Sequence, residues 1–468
     1  EEAELHPLCA DLMLLHAAAP ERGVEIGRVL LDLAAARPAR PSFGEHGPVI
    51  PGTPTARLQA LGRKSLARVL TADEQVARWM AGNVLARRSA ELPQRVAAAL
   101  TLEGQYLPPS RLALFAAAID PQRELRDAAM GALVGWDDGA VHRFLVEQLR
   151  RNESEPGWIA PREVRRHFGR VQVELASEAA RQLVDHVRAA LLSTDWRRAY
   201  RGLQLAPGLP DGEVVPDLIA ALRAWIERRE RGEGRLRLEG DITSELRRRS
   251  GRNIGPYPER WTTWWRSRQA AGEDAADEGE SAQATSAGFF GLRPLTDRVV
   301  FVLDRSGSMD NAFQGGRRTR YEEATEQLMG LLESLGPQTR FRVILFSGTV
   351  EIWNDQLREA SKANLGLARS WMRANGPGGA THLQPAVEQA LRMDGRGQVD
   401  LEALEADTVI VLCDGATAEG PGWVQALMEG PNEDACMVFH SVQIGSGGDG
   451  TLERLTEESG GDLVRVRG

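Results

Sequence analysis

The chain has 468 residues, of which 42% are hydrophobic and 26% are charged, a balance typical of folded proteins. At roughly 150 residues per domain, this length predicts about three structural units. No run approaches the ~18 consecutive apolar residues that a membrane span requires. The net charge of −9 is unevenly spread, because residues 1–270 carry 40 basic and 35 acidic residues, whereas residues 271–468 carry 17 and 31. The acidic C-terminal part argues against a nucleic-acid site there.

The three cysteines and the first residue bear on the compartment. Cys9, Cys413 and Cys436 are too few for a disulfide framework and form no CxxC metal site. The sequence begins at Glu1 rather than methionine, which a removed signal peptide or a trimmed chain would explain. We expect an extracytoplasmic or secreted bacterial protein, with a cytoplasmic location as the alternative.

Apolar residues recur at helical spacing through residues 1–269. Two stripes within 125–149 are separated by a break at 136–139, and a second pair of stripes lies at 177–192 and 213–227. Short amphipathic helices in pairs, at intervals of roughly 35–50 residues, are typical of stacked helical repeats. In this spacing the segment 112–225 resembles the HEAT-repeat family. We therefore predict an all-α, HEAT-like solenoid over residues 1–269.

The end of the helical region carries three tryptophans on one helical face, Trp261, Trp264 and Trp265. We interpret the surrounding segment 250–268 as a closing element that seals the last helical pair. A platform for stacking bases is the alternative. The following residues, 270–296, begin with an acidic stretch of small residues, which predicts a flexible linker.

Residues 297–468 alternate between short apolar runs and helical stripes. The apolar runs, five to eight residues long and rich in Val and Ile, are 299–303, 341–346, 409–413 and 437–444. Helical stripes at 322–335 and 385–391 separate them. Runs of this kind fit strands that are buried on both faces of a parallel sheet. The alternation predicts a doubly wound α/β domain.

Hydroxyl and carboxyl groups gather where two of these strands end. Asp304 is followed by Ser306 and Ser308, Asp414 ends a later strand, and a glycine-rich loop presents Thr381. In open α/β sheets, ligands gather at the carboxyl ends of the strands, so these side chains should meet at one edge. Oxygen donors of low fixed charge suit Mg²⁺, with Mn²⁺ and Ca²⁺ as alternatives.

This arrangement resembles the von Willebrand factor A (VWA) domain and its metal-ion-dependent adhesion site, over about residues 298–468. The resemblance implies that Ser306 and Ser308 bind the metal directly and that Thr381 does so in the ligand-bound state. Asp304 and Asp414 would then act mainly through water and hydrogen bonds. The metal would stay electrophilic and take an Asp or Glu carboxylate from a partner protein.

Several residues beside the site have weaker assignments. Arg305 is a candidate for orienting a ligand carboxylate, with a solvated loop arginine as the alternative. His382 is a candidate for the rim of the site or for packing against the helix that follows. The loop 314–320 is a basic patch that could steer acidic partners. We further expect the carboxylates of Asp304 and Asp414 to face each other with little to neutralise them when no metal is bound.

These observations predict a Mg²⁺-dependent protein-binding module on a helical scaffold, without enzymatic activity. The sequence contains no Gly-x-Ser-x-Gly elbow, no phosphate-binding P-loop and no HExxH motif. Two alternatives rest on family resemblance. One is a protein similar to the Ro family, which joins HEAT-like helices to an A domain and binds RNA. The other is a subunit that serves an AAA+ ATPase.

Overall fold

The computed structural model describes residues 2–36, 54–136, 138–151, 164–165, 167–168, 178–271, 290, 295–445 and 447–467. The chain divides into two compact units, Glu1–His186 and Val187–Gly468. Most of the predicted linker at 270–296 lies outside the described residues. In the part of the chain that is described, no helix combines the length and the apolar character needed to cross a membrane.

The regular secondary structure described in the first unit is helical. Its helices are α1 (Glu2–Ala18), α2 (Gly23–Ala34), α3 (Pro54–Ala72), α4 (Glu74–Trp79), α5 (Leu92–Thr101), α6 (Arg111–Ala117), α7 (Arg123–Val134) and α8 (Gly139–Arg151). Helix α2 packs on α3, and α5 packs on α7. The helical prediction for this region is confirmed, and the HEAT-like arrangement stays a prediction.

Helices also open the second unit. They are α9 (Glu178–Leu191, which spans the division), α10 (Trp196–Leu205), α11 (Asp211–Glu230), α12 (Leu236–Ser250) and α13 (Pro258–Ala271). Helix α11 packs against both α12 and α13. The indole of Trp261 is buried in α13, donates to the carbonyl of Gly255 over 2.7 Å and meets Trp264 edge-on. This packing favours the closing-element interpretation.

The rest of the second unit is an α/β domain. Its strands are β1 (Arg298–Asp304), β2 (Arg340–Phe346), β3 (Val350–Ile352), β4 (Arg358–Glu359), β5 (Thr408–Cys413), β6 (Val438–Ile444) and β7 (Leu463–Val466). Its helices are α14 (Arg320–Leu335), α15 (Lys362–Ala374), α16 (Leu383–Ala390), α17 (Gly422–Glu429), α18 (Pro431–Ala435) and α19 (Thr451–Ser459). The strand order is β3-β2-β1-β5-β6-β7, with β4 also on β2. All neighbours are parallel except β3 and β4, which run antiparallel to β2.

Helices cover both faces of this sheet, because alternate strand residues point to opposite sides. On one side Val300, Val302 and Val411 pack with helices α16, α17 and α19. On the other side Phe301, Leu303 and Leu412 pack with α14 and α15. The four predicted strands and the doubly wound α/β class are therefore confirmed.

Arginines from α10 and from the start of α12 join these helices to the amino edge of the sheet. Arg237 donates to the carbonyls of Asp407 and Cys436, both over 2.7 Å, just before β5 and β6 begin. Arg197 and Arg201 donate to carbonyls of residues 404 and 433–435. The boundary predicted at 269/270 stays a prediction. The second compact unit contains helices α10–α13 together with the sheet.

Candidate metal centre

The first strand of the parallel sheet ends in a buried carboxylate. Asp304 is fully buried, and its Oδ1 accepts the backbone N–H of Ser306 over 2.6 Å. This short bond turns the chain directly after the strand. A single 3₁₀ turn, Gly307–Asp310, then holds Ser308 just beyond Ser306. The turn therefore displays two hydroxyl groups above the end of β1.

Asp414 reaches the same place from the neighbouring strand. Strands β1 and β5 are parallel, with Leu303 opposite Leu412 in the register, so the residues that follow them meet at one edge. The hydroxyl of Ser308 donates to Oδ1 of Asp414 over 2.7 Å, and the hydroxyls of Ser306 and Ser308 are 3.1 Å apart. The structure thus brings these oxygens and Asp304 together, as the sequence predicted for one edge.

The environment of Asp304 disfavours its charge. Burial raises the pKa of Asp304, and the nearby Asp414 carboxylate raises it further, although hydrogen bonds from Ser306 and Cys413 oppose this. The Cys413 thiol donates to Oδ2 of Asp304 over 3.1 Å. Burial and the Asp304 charge raise the pKa of that thiol well above its ordinary value. Cys413 is thus a neutral donor in the core beneath the site.

The expectation that both carboxylates lack a counter-charge is wrong for Asp414. Oδ2 of Asp414 accepts from a guanidinium nitrogen of Arg320 over 2.5 Å, in an ion pair whose carboxylate side chain is fully buried. From the sequence, Arg320 is expected to belong to a basic patch, 314–320, beside the site. No local pattern could reveal this pairing, because 94 residues separate the two positions.

The loop that carries Thr381 is pinned to both strand ends. The backbone N–H of Gly378 donates to the carbonyl of Arg305 over 2.7 Å, and that of Gly307 donates to Gly379 over 3.2 Å. The carbonyl of Thr381 accepts from Ala418, in the segment after Asp414, over 2.9 Å. Thr381 is half-buried, and its hydroxyl makes no hydrogen bond within the described ranges. This side chain is therefore held in place with a free oxygen.

The two rim candidates are both bound to the protein itself. Arg305 donates to the carbonyl of Gly376 over 3.3 Å and to the hydroxyl of Thr349 over 3.2 Å. It therefore holds the start of the threonine loop, residues 375–381, in place. Nδ1 of His382 lies 2.8 Å from a carboxylate oxygen of Glu419. Glu419 also accepts the backbone N–H of Leu383, which begins α16. Glu419 is a neighbour of the site that the sequence analysis did not single out.

The hydroxyl cluster supplies oxygen donors, the ligand type that Mg²⁺ prefers. The separations of 3.1 Å between the serine hydroxyls and 2.7 Å between Ser308 and Asp414 are those of hydrogen bonds, which hold these oxygens side by side. Among the described residues, no group of three His, Cys, Asp or Glu side chains could hold a metal ion. The donor set at the sheet edge therefore depends on hydroxyls.

Comparison with known proteins agrees with this fold. Residues 299–416 match the family model of the von Willebrand factor type A domain. The inter-alpha-trypsin inhibitor heavy chain H1 of Sus scrofa is 32% identical over 131 residues, which cover 28% of this chain and 14% of that protein. The chain therefore spans a small fraction of the curated relatives it matches. The C-terminal α/β region is a VWA domain, preceded by a helical region.

Two solved structures are similar to part of this chain. One is a von Willebrand factor type A protein from Catenulispora acidiphila, which is 20% identical with a TM-score of 0.31 and covers 38% of this chain and 40% of that one. The other is proximal thread matrix protein 1 from the mussel byssus, described with a zinc-occupied MIDAS motif. It is 17% identical with a TM-score of 0.29, and the match covers 36% of this chain and 40% of that one.

Proposed function

We propose that the VWA domain is a Mg²⁺-dependent protein-binding module in which Asp304, Ser306, Ser308, Thr381 and Asp414 hold the cation. A partner protein supplies an Asp or Glu carboxylate. A bound Mg²⁺ would offer that carboxylate an open, electrophilic coordination position. The residues of the chain fix the donor oxygens and keep the surroundings low in negative charge.

The observation that carries this proposal is the convergence of the oxygens of Ser306, Ser308 and Asp414 at one edge of the sheet. Both oxygens of Asp304 accept hydrogen bonds from the protein, and so do both oxygens of Asp414. The groups left to face a cation directly are mainly neutral hydroxyls. A cation held in this way keeps most of its charge for the partner's carboxylate, which supports binding of an acidic residue.

We assign the site to binding rather than to catalysis. The carboxylates of Asp304 and Asp414 accept hydrogen bonds from neighbouring protein groups, and the imidazole of His382 lies against Glu419. These contacts support roles in holding the loops and the hydroxyl cluster in place.

A protein partner is favoured over RNA, because arginines in the helices of the second unit form ion pairs and hydrogen bonds within the protein. The densest basic run of this region is Arg247, Arg248 and Arg249. Arg248 pairs with Glu245. The side chain of Arg249 is only 4% exposed, pairs with Glu245 and donates to the carbonyls of Ala206 and Leu209. Phosphate binding needs cations that are free to replace counterions. Service to an AAA+ ATPase stays a prediction.

The decisive measurement is calorimetric titration of Mg²⁺ into the full chain and into Ser306→Ala. We expect one site in the wild type and a loss of affinity of about 10–100-fold in the variant. Ser334→Ala is the matched control, because Ser334 lies in α14 and its hydroxyl donates to the carbonyl of Leu331. Unchanged Mg²⁺ binding in Ser306→Ala would refute the site.

Partner binding is then tested with the same variants. Proteins captured by the immobilised chain in Mg²⁺ should be released by chelator and should not bind Ser306→Ala. Replacement of one Asp or Glu in the captured partner should abolish its binding. Capture that survives both chelation and Ser306→Ala would contradict a carboxylate-to-metal contact.

A further inference from the structure

We propose that Arg320 is an internal counter-cation that occupies Asp414 when no metal is bound and thereby raises the Mg²⁺ concentration at which the site fills. This inference rests on the proposed function, since it concerns the regulation of the same site. Its basis is the ion pair between Arg320 and Oδ2 of Asp414, on the carboxylate whose Oδ1 is bound by Ser308.

The local structure fixes Arg320 in this position. It is the first residue of α14, directly after Thr319, which caps the helix through a reciprocal capping box with Glu322. The backbone N–H of Arg320 donates to the carbonyl of Asn311 over 2.9 Å. Because the backbone is held at both sides, the side chain reaches Asp414 without ordering a mobile loop. The pairing therefore has a low conformational cost.

The guanidinium depends on Asp414 for its ionic partner. The side chain of Arg320 is 20% exposed, while that of Asp414 is fully buried. In the part of the chain described here, the Nε–H of Arg320 is buried and has no hydrogen-bond partner. A buried ion pair of this kind is favourable only while both members are present, because each charge alone lacks solvation.

A cation at the serine hydroxyls competes with this arrangement. It would lie beside Ser308, whose hydroxyl donates to the same carboxylate that binds Arg320. Two positive charges on one carboxylate repel each other strongly at a partly buried site. Removal of the Arg320 charge should therefore strengthen Mg²⁺ binding, whereas loss of a ligand weakens it.

The test is calorimetric titration of Mg²⁺ into the full-length wild type, Arg320→Gln, Arg320→Lys and Arg318→Gln. We expect Arg320→Gln to bind Mg²⁺ at least about tenfold more tightly. Arg320→Lys should lie between it and the wild type, because an ammonium lacks the fork that grips a carboxylate. Arg318→Gln is the control, since it removes the same charge from an exposed neighbour that pairs with Glu323.

Thermal denaturation provides a second readout that does not depend on the titration. Without metal, Arg320→Gln leaves Asp414 buried without its counter-charge, so its melting temperature should fall below that of the wild type. Added Mg²⁺ should raise that temperature by more than it does in the wild type. If the Gln variant does not fold without metal, recovery of its structure on addition of Mg²⁺ supports the proposal, as does tighter binding by Arg320→Lys.

The results also separate this inference from the proposed function. Unchanged affinity in Arg320→Gln, with binding lost in Ser306→Ala, overturns the role of Arg320 and leaves the metal site standing. An equal gain in Mg²⁺ affinity in Arg318→Gln overturns it as well, because the effect would then come from the net charge of the protein and not from the ion pair with Asp414. Absence of Mg²⁺ binding in the wild type and in every Arg320 variant overturns both.

Discussion

The hydroxyl of Ser308 donates a hydrogen bond to the carboxylate of Asp414 over 2.7 Å, although 106 residues separate the two positions. Ser308 belongs to the turn after β1, and Asp414 directly follows β5, so the contact exists because these two strands are neighbours in the sheet. The hydroxyl of Ser306 lies on the other side of Ser308, at 3.1 Å. This row of oxygens is the part of the molecule on which the predictions about metal binding depend.

The first prediction concerns stabilisation by metal. Mg²⁺ at 100 times its dissociation constant should stabilise the wild type by about 2.7 kcal/mol, because it binds the folded state. Ser308→Ala should lose most of this gain, and thermal denaturation followed by circular dichroism measures it. Ser334→Ala should keep the gain. An equal Mg²⁺ effect in Ser308→Ala would exclude Ser308 from the site.

The second prediction separates metal binding from partner binding. Thr381 has a free hydroxyl on a pinned loop, and the family resemblance assigns it a direct role in the ligand-bound state. Thr381→Ala should keep part of its Mg²⁺ affinity and lose partner affinity. Calorimetry with Mg²⁺ and a binding assay with the partner measure the two effects. Thr263→Ala, on the exposed side of α13, should change neither. Equal losses in both assays would mean that Thr381 has no separate role toward the partner.

The third prediction concerns the backbone of the threonine loop. Gly379 has φ +92°, and a Cβ there would lie 3.2 Å from the Ser347 hydroxyl and 3.3 Å from the Gly348 nitrogen. Gly379→Ala should destabilise the domain by about 1–3 kcal/mol and weaken partner binding. Urea denaturation measures the first effect. Gly376→Ala is the control, because a Cβ there meets no atom within 4 Å. Equal stability of the two variants would contradict the strain at Gly379.

The fourth prediction concerns the joint between the helices and the amino edge of the sheet. The guanidinium of Arg237 is buried, bonds two carbonyls and lies over the ring of Tyr200 at 4.2 Å. Arg237→Met should destabilise the second unit by about 3 kcal/mol, because it removes a donor from the carbonyls of Asp407 and Cys436 and the ionic partner of Asp241. Urea denaturation of the full chain measures this. Arg223→Met, which breaks an exposed pair with Glu259, should cost less than about 1 kcal/mol.

The fifth prediction concerns pH. Burial raises the pKa of Asp449, but hydrogen bonds from Thr451 and Thr417 outweigh it and hold the pKa below its ordinary value. A carboxyl whose pKa is lower in the folded state stabilises the protein above its unfolded pKa of about 3.9, and this stabilisation is lost as the pH falls through the folded value. Asp449→Asn should therefore be less stable than the wild type at pH 7.

The same comparison in acid completes this test. The difference in urea midpoint between the wild type and Asp449→Asn should narrow as the pH falls below about 4. Asp11→Asn, at an exposed position of α1, should follow the wild type throughout. A constant difference between Asp449→Asn and the wild type from pH 7 to pH 3 would show that the charge of Asp449 does not stabilise the fold.

The sequence by itself determined the parts of this protein that local pattern controls. Continuous apolar runs such as 299–303 and 409–413 predict strands buried on both faces, because a parallel sheet covered by helices leaves no solvent-facing side. Asp304 and Asp414 follow such runs, and parallel strands end at one edge, so their proximity was also predictable. Helical spacing likewise predicted the helices before residue 271.

Only the tertiary structure decided which distant charges meet. Arg320 pairs with Asp414 across 94 residues, and Arg237 reaches the carbonyl of Cys436 across 199. Neither contact leaves a periodic or spacing signal, because a long side chain can reach many partners from the same helical position. The packing of α14 beside β1 and of α12 against the amino edge of the sheet selects one partner for each guanidinium. Burial makes the loss of that partner costly, because a guanidinium or carboxylate that is removed from water needs a counter-charge or an acceptor within the fold.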